Sequence, residues 1–387
     1  MRFLRRGKHP IKKTILVISD IHLGAGAIVK GQRNYLEDFH YDAEMVDFLE
    51  YYSSGEYKDR EVELVINGDF FDHLAVPFVP YFDDEYWSEP AALAKLEMIL
   101  KAHREVIAAL SEFASGRKKS IVYIIGNHDA EMILESLQKR FLECFEEKDR
   151  EKVKIIADNQ HEYKPVDGVV IKHGHEYEIA HQYDPKQSIF QDDKGINHFI
   201  PPWGSYYVIR VINKFKEERG HINAVRPIKK FIINGLIYDT LFTLRFLFQT
   251  CYYFIMVRFN FLFRQNKSIR NAISYAVREL HLFQDYEELT QEMLNNDDDI
   301  KALIVGHTHE PIFRSNADGK VFINTGTWTN MYHLDFARGR ESRQLTYAQI
   351  DVKEKVKPGL PKFANLELAL NNWEGANKFP YEEYQGS

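Results

Sequence analysis

Cysteine is scarce. Only Cys144 and Cys251 occur in 387 residues, far apart in the chain. Two cysteines cannot build a disulfide framework or a Cys-rich zinc site, and a reducing compartment is expected. Long apolar runs are also lacking. A membrane-spanning helix needs ~20 mainly apolar residues. In the most apolar stretch Asp239, Arg245 and Arg258 intervene, leaving only Phe246–Val257 free of charge. The basic arm formed by Arg2, Arg5, Arg6, Lys8, Lys12 and Lys13 leads straight into the strand-like Thr14–Ser19. It lacks the ~7–15 apolar residues of a secretory leader. Internal repeats and low-complexity tracts are not evident.

Short apolar, β-branched runs recur instead: Thr14–Ser19, Val62–Asn67, Ile121–Ile125, Val169–Ile171, Leu303–Val305 and Val321–Asn324. Each reads as a buried strand. Helical periodicity fills gaps at Asp42–Tyr52, Ala91–Phe113 and Glu131–Phe145. Alternation of this kind predicts an α/β fold, with functional residues at the C-terminal ends of the strands.

Charge and aromatics are unevenly spread. The whole chain carries −7, yet Gly204–Phe283 holds thirteen Lys/Arg against four Asp/Glu, a net of +9. Ile228–Phe263 packs eleven Phe or Tyr into 36 positions. The chain therefore divides into a first core part at 1–178, a helical, aromatic and basic insertion at 179–299, a second core part at 300–352 and a surface tail at 353–387. The charge asymmetry points the insertion at an anionic partner.

Five segments carry the chemistry: Ser19-Asp20-Ile21-His22-Leu23-Gly24, Gly68-Asp69-Phe70-Phe71-Asp72, Gly126-Asn127-His128-Asp129, His173-Gly174-His175 and Gly306-His307-Thr308-His309. Each stands at or just after the end of a predicted strand. Alone, each is an ordinary loop. Together they bring eleven Asp, Asn or His groups to the ends of neighbouring strands, and buried groups of this kind need something to pair them. A pair of divalent cations does so. Imidazole and carboxylate without thiolate favour Mn, Fe or Zn. Two such ions clamp and polarise a phosphoryl group.

The ordered set resembles the calcineurin-like metallophosphoesterases, whose motifs run D-x-H, G-D-x-x-D, G-N-H-D/E, H-x-H and G-H-x-H. The resemblance implies a four-layer αββα sandwich with the insertion as a cap or lid. It also implies two metals, manganese foremost. One is held by Asp20, His22, Asp69 and His309, the other by Asp69, Asn127, His173 and His307, with Asp69 shared. His128 is implied as general acid or phosphate-oxygen stabiliser. Asp72 and Asp129 are expected to orient histidines by accepting their other N–H, and His175 to hydrogen-bond to the site. Asp72-His73-Leu74 replaces the Asp-Arg-Gly of protein Ser/Thr phosphatases, which disfavours that branch. A lid between the fourth and fifth motifs also resembles the UDP-2,3-diacylglucosamine hydrolases. This chain departs from them in its longer insertion, in His128 where many have Arg, and in His175 where they often have Asp.

The expected activity is hydrolysis of a lipid-linked phosphate or pyrophosphate, by a cytoplasmic enzyme attached to the inner face of an anionic membrane. Arg226, Lys229, Lys230, Arg258 and Arg264 are expected to meet phosphates or headgroups. A nuclease or nucleotide phosphodiesterase is the alternative enzyme, since basic residues interleaved with aromatics also bind nucleic acid. A metal-bearing scaffold that has lost catalysis is the alternative of another class. The oligomeric state is left open.

Overall fold

A computed structural model of the chain describes residues 10–77, 87–158, 161–178, 180–226, 228–265, 294, 297–333, 341–343, 345–354 and 365–375. Two sheets lie face to face. The first runs in the order Leu366–Asn372, Thr346–Lys353, Ile11–Ile18, Glu61–Asn67, Lys119–Ile124, Val153–Ile156. Its last four strands are mutually parallel, and the two C-terminal strands join antiparallel. The second runs Ile312–Ser315, Val321–Asn324, Ala302–Val305, Val169–Lys172, Glu162–Tyr163, parallel in the middle and antiparallel at both edges.

The strands read as unbroken apolar runs because both of their faces are covered. In Ile11–Ile18, Ile15 and Val17 pack between the sheets with Val65, Ile124, Ile171, Ile304 and Ile323. Leu16 and Ile18 turn the other way, toward Phe48, Leu96, Leu110 and Phe141 of the helices Asp42–Ser53, Glu89–Ala102, Arg104–Ser115 and Glu135–Leu142. The outer face of the second sheet carries Val170, Leu303, Val305 and Phe322 against Leu294. The helix layer expected on that face falls on residues outside the described ones.

Two expectations need correction. The period over 91–113 suggests one helix, but the chain breaks at His103, whose φ of −109° and ψ of 35° leave the helical region. The His103 ring is gripped there by Asp42 at 2.7 Å and Glu37 at 3.6 Å. The tail, expected to lie on the surface, supplies the edge strand Leu366–Asn372. Leu366, Leu368 and Leu370 pack on the inter-sheet core, and Trp373 is buried. Their alternation is a strand signal that the surrounding Pro, Asn and Gly obscured.

Between the core parts the described chain is not purely helical. It opens with the hairpin Ile189–Gln191 and Asn197–Phe199, then runs helically from Trp203 to Lys216. The short strand Val225–Arg226 pairs with Asn330–His333 of the second core part. The helices Ile228–Tyr238 and Thr240–Gln265 follow as a hairpin. The second helix buries Phe242 and Tyr253 against Val211, Phe215 and Ile222. Arg219 pairs with Asp239 and Arg245 with Glu218, at 2.7 and 2.6 Å. No helix among the described residues is long and apolar enough to cross a membrane.

Candidate metal centre

The five motifs meet at the C-terminal ends of the strands Ile11–Ile18, Glu61–Asn67, Lys119–Ile124, Val169–Lys172 and Ala302–Val305. The loops after the first two run side by side, with His22 N donating to Asp69 O and Leu23 N to Phe70 O, both at 2.9 Å. Gly306 N donates to His173 O at 2.9 Å, which ties the fourth motif to the fifth. Close approach demands glycine at two points. A Cβ on Gly126 would lie 2.2 Å from Asp69 Oδ1, and one on Gly306 would lie 2.5 Å from Asp20 Oδ2. The backbone is itself bent to purpose. Asp20, His22, Asp69, His307 and His309 all have positive φ, five of eight such non-glycine residues among the described ones. Strain of this kind persists only where the surroundings enforce it.

The side chains set acceptors against acceptors. His173 Nδ1 donates to Asn67 O at 2.8 Å, which leaves the lone pair of the neutral ring on Nε2. That nitrogen faces Asp69 Oδ2 at 3.3 Å and Asn127 Oδ1 at 3.2 Å. His22 Nδ1 donates to Asp72 Oδ2 at 3.2 Å, and its Nε2 faces His309 Nε2 at 3.1 Å. His309 Nε2 lies 3.3 Å from Asp20 Oδ1. Such groups repel unless a cation stands among them. Without a metal, protons must serve. Burial opposes a charge on His22, but its hydrogen bond to Asp72 and the charges of Asp72, Asp69 and Asp20 push its pKa up to about 9. Burial likewise opposes a charge on His173, and Asp69 outweighs it, to about 10. Burial would raise Asp69, yet His173 and His128 hold it well below the usual carboxylate range. Divalent cations can replace those protons, so the donor set fits them. Asp20, His22 and His309 form one cluster with ligand atoms within 4.8 Å, and Asp69, His173 and His307 form another.

The supporting residues divide. Asp72 holds His22 with one oxygen and His128 Nδ1 with the other, at 3.0 Å. His128 lies at the rim, edge-on to His22 at 4.6 Å between ring centres. Asp129 does not orient a histidine as expected. It accepts from the backbone amides of Phe70 and Gly126 at 2.8 and 2.6 Å and from the Tyr123 hydroxyl, fastening the second motif to the third. Burial and then Asp69 push its pKa up to about 6. His175 does not hydrogen-bond to the site either. Gly174, at φ +112°, turns the chain away, and the buried His175 ring stacks on Tyr183 at 5.1 Å. Its ring nitrogens have no hydrogen-bond partner among the described residues.

Of the expected phosphate-binding residues, Lys230 is exposed on the helix Ile228–Tyr238. Arg226 and Lys229 lie in described backbone, as do Arg258 and Arg264, but their side chains fall outside what the structure describes. Two residues escaped the sequence reading. Glu178 accepts from His307 Nε2 at 3.1 Å, and His181 Nε2 lies 3.5 Å from the same carboxylate. The signal was present as a dense run, His173, His175, Glu176, Glu178 and His181, cut by placing the core boundary at 178.

With this geometry in place, comparison with known proteins is informative. No curated protein matches the chain. Among solved structures it is similar to a dimetal phosphatase from Danio rerio, at 12% identity and a TM-score of 0.37, over 89% of this chain and 94% of that one. It is also similar to a calcineurin-like phosphoesterase from Bacillus subtilis, at 13% identity and a TM-score of 0.34, over 94% and 91%. The family model described as calcineurin-like phosphoesterase matches residues 13–234. That match stops short of the fifth motif, which the structure nevertheless brings to the same cleft. The chain belongs to the calcineurin-like phosphoesterase family and is a metal-dependent hydrolase of phosphoester bonds.

Proposed function

We propose that this hydrolase cleaves a lipid-linked phosphate or pyrophosphate at an anionic membrane surface, as a peripheral enzyme of the inner face, with manganese as its metal. One observation carries the lipid reading. Both helices of the 228–265 hairpin turn apolar stripes outward. Ile233, Leu236 and Ile237 form one, and Leu241, Leu244, Phe248, Tyr252 and Ile255 form the other, spaced three or four residues apart. Leu241 is 80% exposed and Phe248 71%. Apolar side chains exposed side by side along a helix mark a surface that another phase or partner covers. The excess of Lys and Arg in the same segment selects an anionic one, with Arg226, Lys229, Lys230, Arg258 and Arg264 as the residues proposed to meet headgroup or substrate phosphates.

The chemistry follows from the cleft. Asp20, His22, Asp69 and His309 would hold one metal, and Asp69, Asn127, His173 and His307 the other. When bound, the pair polarises the phosphoryl group and lowers the pKa of water. The protein's part is to place and to protonate. Asp72 fixes the His128 ring through Nδ1. Burial opposes a charge on His128, but without metal Asp72 and Asp69 raise its pKa, and with Nδ1 held by Asp72 the ring would carry a transferable proton on Nε2 when charged. That proton would go to the leaving oxygen. No Ser or Cys in the five motifs is placed as a nucleophile, so water attacks phosphorus directly.

The test is flotation of the full-length protein with vesicles of phosphatidylglycerol against vesicles of phosphatidylcholine, with mass spectrometry of co-purified lipids. Binding to the anionic vesicles and a retained phospholipid or glycolipid are expected. A protein that ignores vesicles, carries no lipid and degrades oligonucleotides would overturn the reading in favour of a nuclease.

A further inference from the structure

Each expected metal position has a carboxylate behind one of its histidines, and the two carboxylates differ in origin. Behind His22 stands Asp72, from the second motif, with its side chain 5% exposed. Behind His307 stands Glu178, at the entry to the segment between the core parts, 41% exposed. A ligating histidine is oriented by the acceptor of its other N–H. Glu178 accepting from His307 Nε2 assigns the ligating lone pair to Nδ1.

The same entry segment reaches a second ligand of that position. Asn127 has Oδ1 at 3.2 Å from His173 Nε2 and Nδ2 at 3.4 Å from His181 Nδ1. His181 thereby fixes which end of the Asn127 amide points at the metal, since an amide oxygen ligates and an amide nitrogen does not. The far side of the His181 ring returns to Glu178, at 3.5 Å. Asn127, His181, Glu178 and His307 make one continuous polar chain.

The backbone holds His181 there. His181 N donates to Glu178 O at 2.9 Å, closing a turn. Gly204 N donates to Ala180 O at 2.8 Å at the start of the Trp203–Tyr207 helix. A Cβ on Gly204 would stand 2.7 Å from His181 Cε1. Tyr183 OH donates to Gly126 O at 3.0 Å, tying the segment to the third-motif loop.

We propose that Glu178 and His181 are positioning residues that set the affinity of one metal position, that of Asn127 and His307. Occupancy there then depends on the inserted segment, whereas the Asp72-backed position depends on the motifs alone. The proposal rests on the ligand assignment given under Proposed function.

Metal analysis separates the two. The full-length protein is dialysed against graded Mn²⁺ and its metal content measured, with titration calorimetry for the stepwise affinities. The unaltered protein should take two ions, and fewer than two would refute the ligand assignment itself. In Glu178→Gln and His181→Ala one of the two steps should fall about 10–100-fold, the other should stay within about threefold, and the metal-free melting temperature should hold. Gly204→Ala, which touches no ligand, should weaken the same step by crowding His181. Equal loss of both steps, or a lower metal-free melting temperature, would mean a merely structural role. Unchanged affinities with a raised KM would mean substrate contact. Either result overturns the proposal.

Discussion

The cleft and the 228–265 hairpin treat burial in opposite ways. The cleft takes Asp20, Asp69 and His173 fully out of water and sets their lone pairs against one another. The hairpin leaves Leu241, Phe248 and Ile237 in water. Either arrangement would be costly in an isolated globule, the first by desolvation and the second by exposed apolar area. The difference shows what each region lacks. The cleft is completed by charge, which ions supply, and the hairpin by an apolar phase, for which a membrane is proposed.

The largest effects should come from breaking the cleft. Asp69→Ala removes the ligand expected in both positions. Turnover of a generic phosphodiester with Mn²⁺ should fall on the order of 10³-fold or more, and bound metal should drop below two ions. His128→Ala should lower kcat by about 10²–10⁴-fold while both ions stay. If His128→Ala loses metal as Asp69→Ala does, the division between ligand and proton donor is wrong.

Breaking the hairpin should act on a different observable. Leu241→Glu and Phe248→Glu replace side chains that touch little of the protein. Burial of such a side chain is worth about 1.5–3 kcal/mol, so each change should weaken vesicle binding roughly 10-fold or more. Hydrolysis of a small soluble phosphodiester should stay as it was, and so should the melting temperature. A fall in melting temperature beyond a degree or two would show that the stripe is core after all.

The effect that should touch function least sharpens the comparison from inside the core. His103 is a buried group that the chain satisfies by itself. Burial opposes its charge, but the Asp42 and Glu37 carboxylates push its pKa up to about 9, from an ordinary 6.5. The folded value is the higher one, so the stabilisation is complete below about pH 6.5 and is lost as pH rises through about 9. It amounts to about 3 kcal/mol. Urea unfolding at pH 6 and pH 9.5 should show a loss smaller by that amount in His103→Gln than in the unaltered protein, since without metal His22 and His173 add losses of their own in both. An equal loss in both proteins would place the pH dependence elsewhere.

The sequence made the cleft legible because its parts are local. A β-branched run followed at once by Asp-x-His or Gly-Asn-His shows both strand and ligand in one glance, and Ala302–Val305 before Gly306-His307 repeats the pattern. What stayed hidden was set by partners far away. Asp129 looks like any acid beside a histidine until the amides of Phe70 and Gly126 close on it. The break at His103 depends on Asp42 and Glu37, some sixty residues earlier. Glu178 and His181 carry no motif of their own, and only folding sets them against His307 and Asn127. The outward stripe of the hairpin was visible as composition, but its direction was not. A helix apolar on more than one side does not say which side is packed.

The sheet order has a further consequence, for synthesis. Ala302–Val305 joins Val169–Lys172 to the later strands Val321–Asn324 and Ile312–Ser315, so the second sheet ends at Val169–Lys172 until that strand arrives. His307 and His309 come with it. At about 5–20 residues per second, the helix ending at Gln265 leaves the ribosome some seconds before them. For that interval the nascent chain shows its outward apolar stripes while it has no finished centre in which to hold two ions. The order of translation therefore completes the exposed apolar surface before it completes the reaction centre.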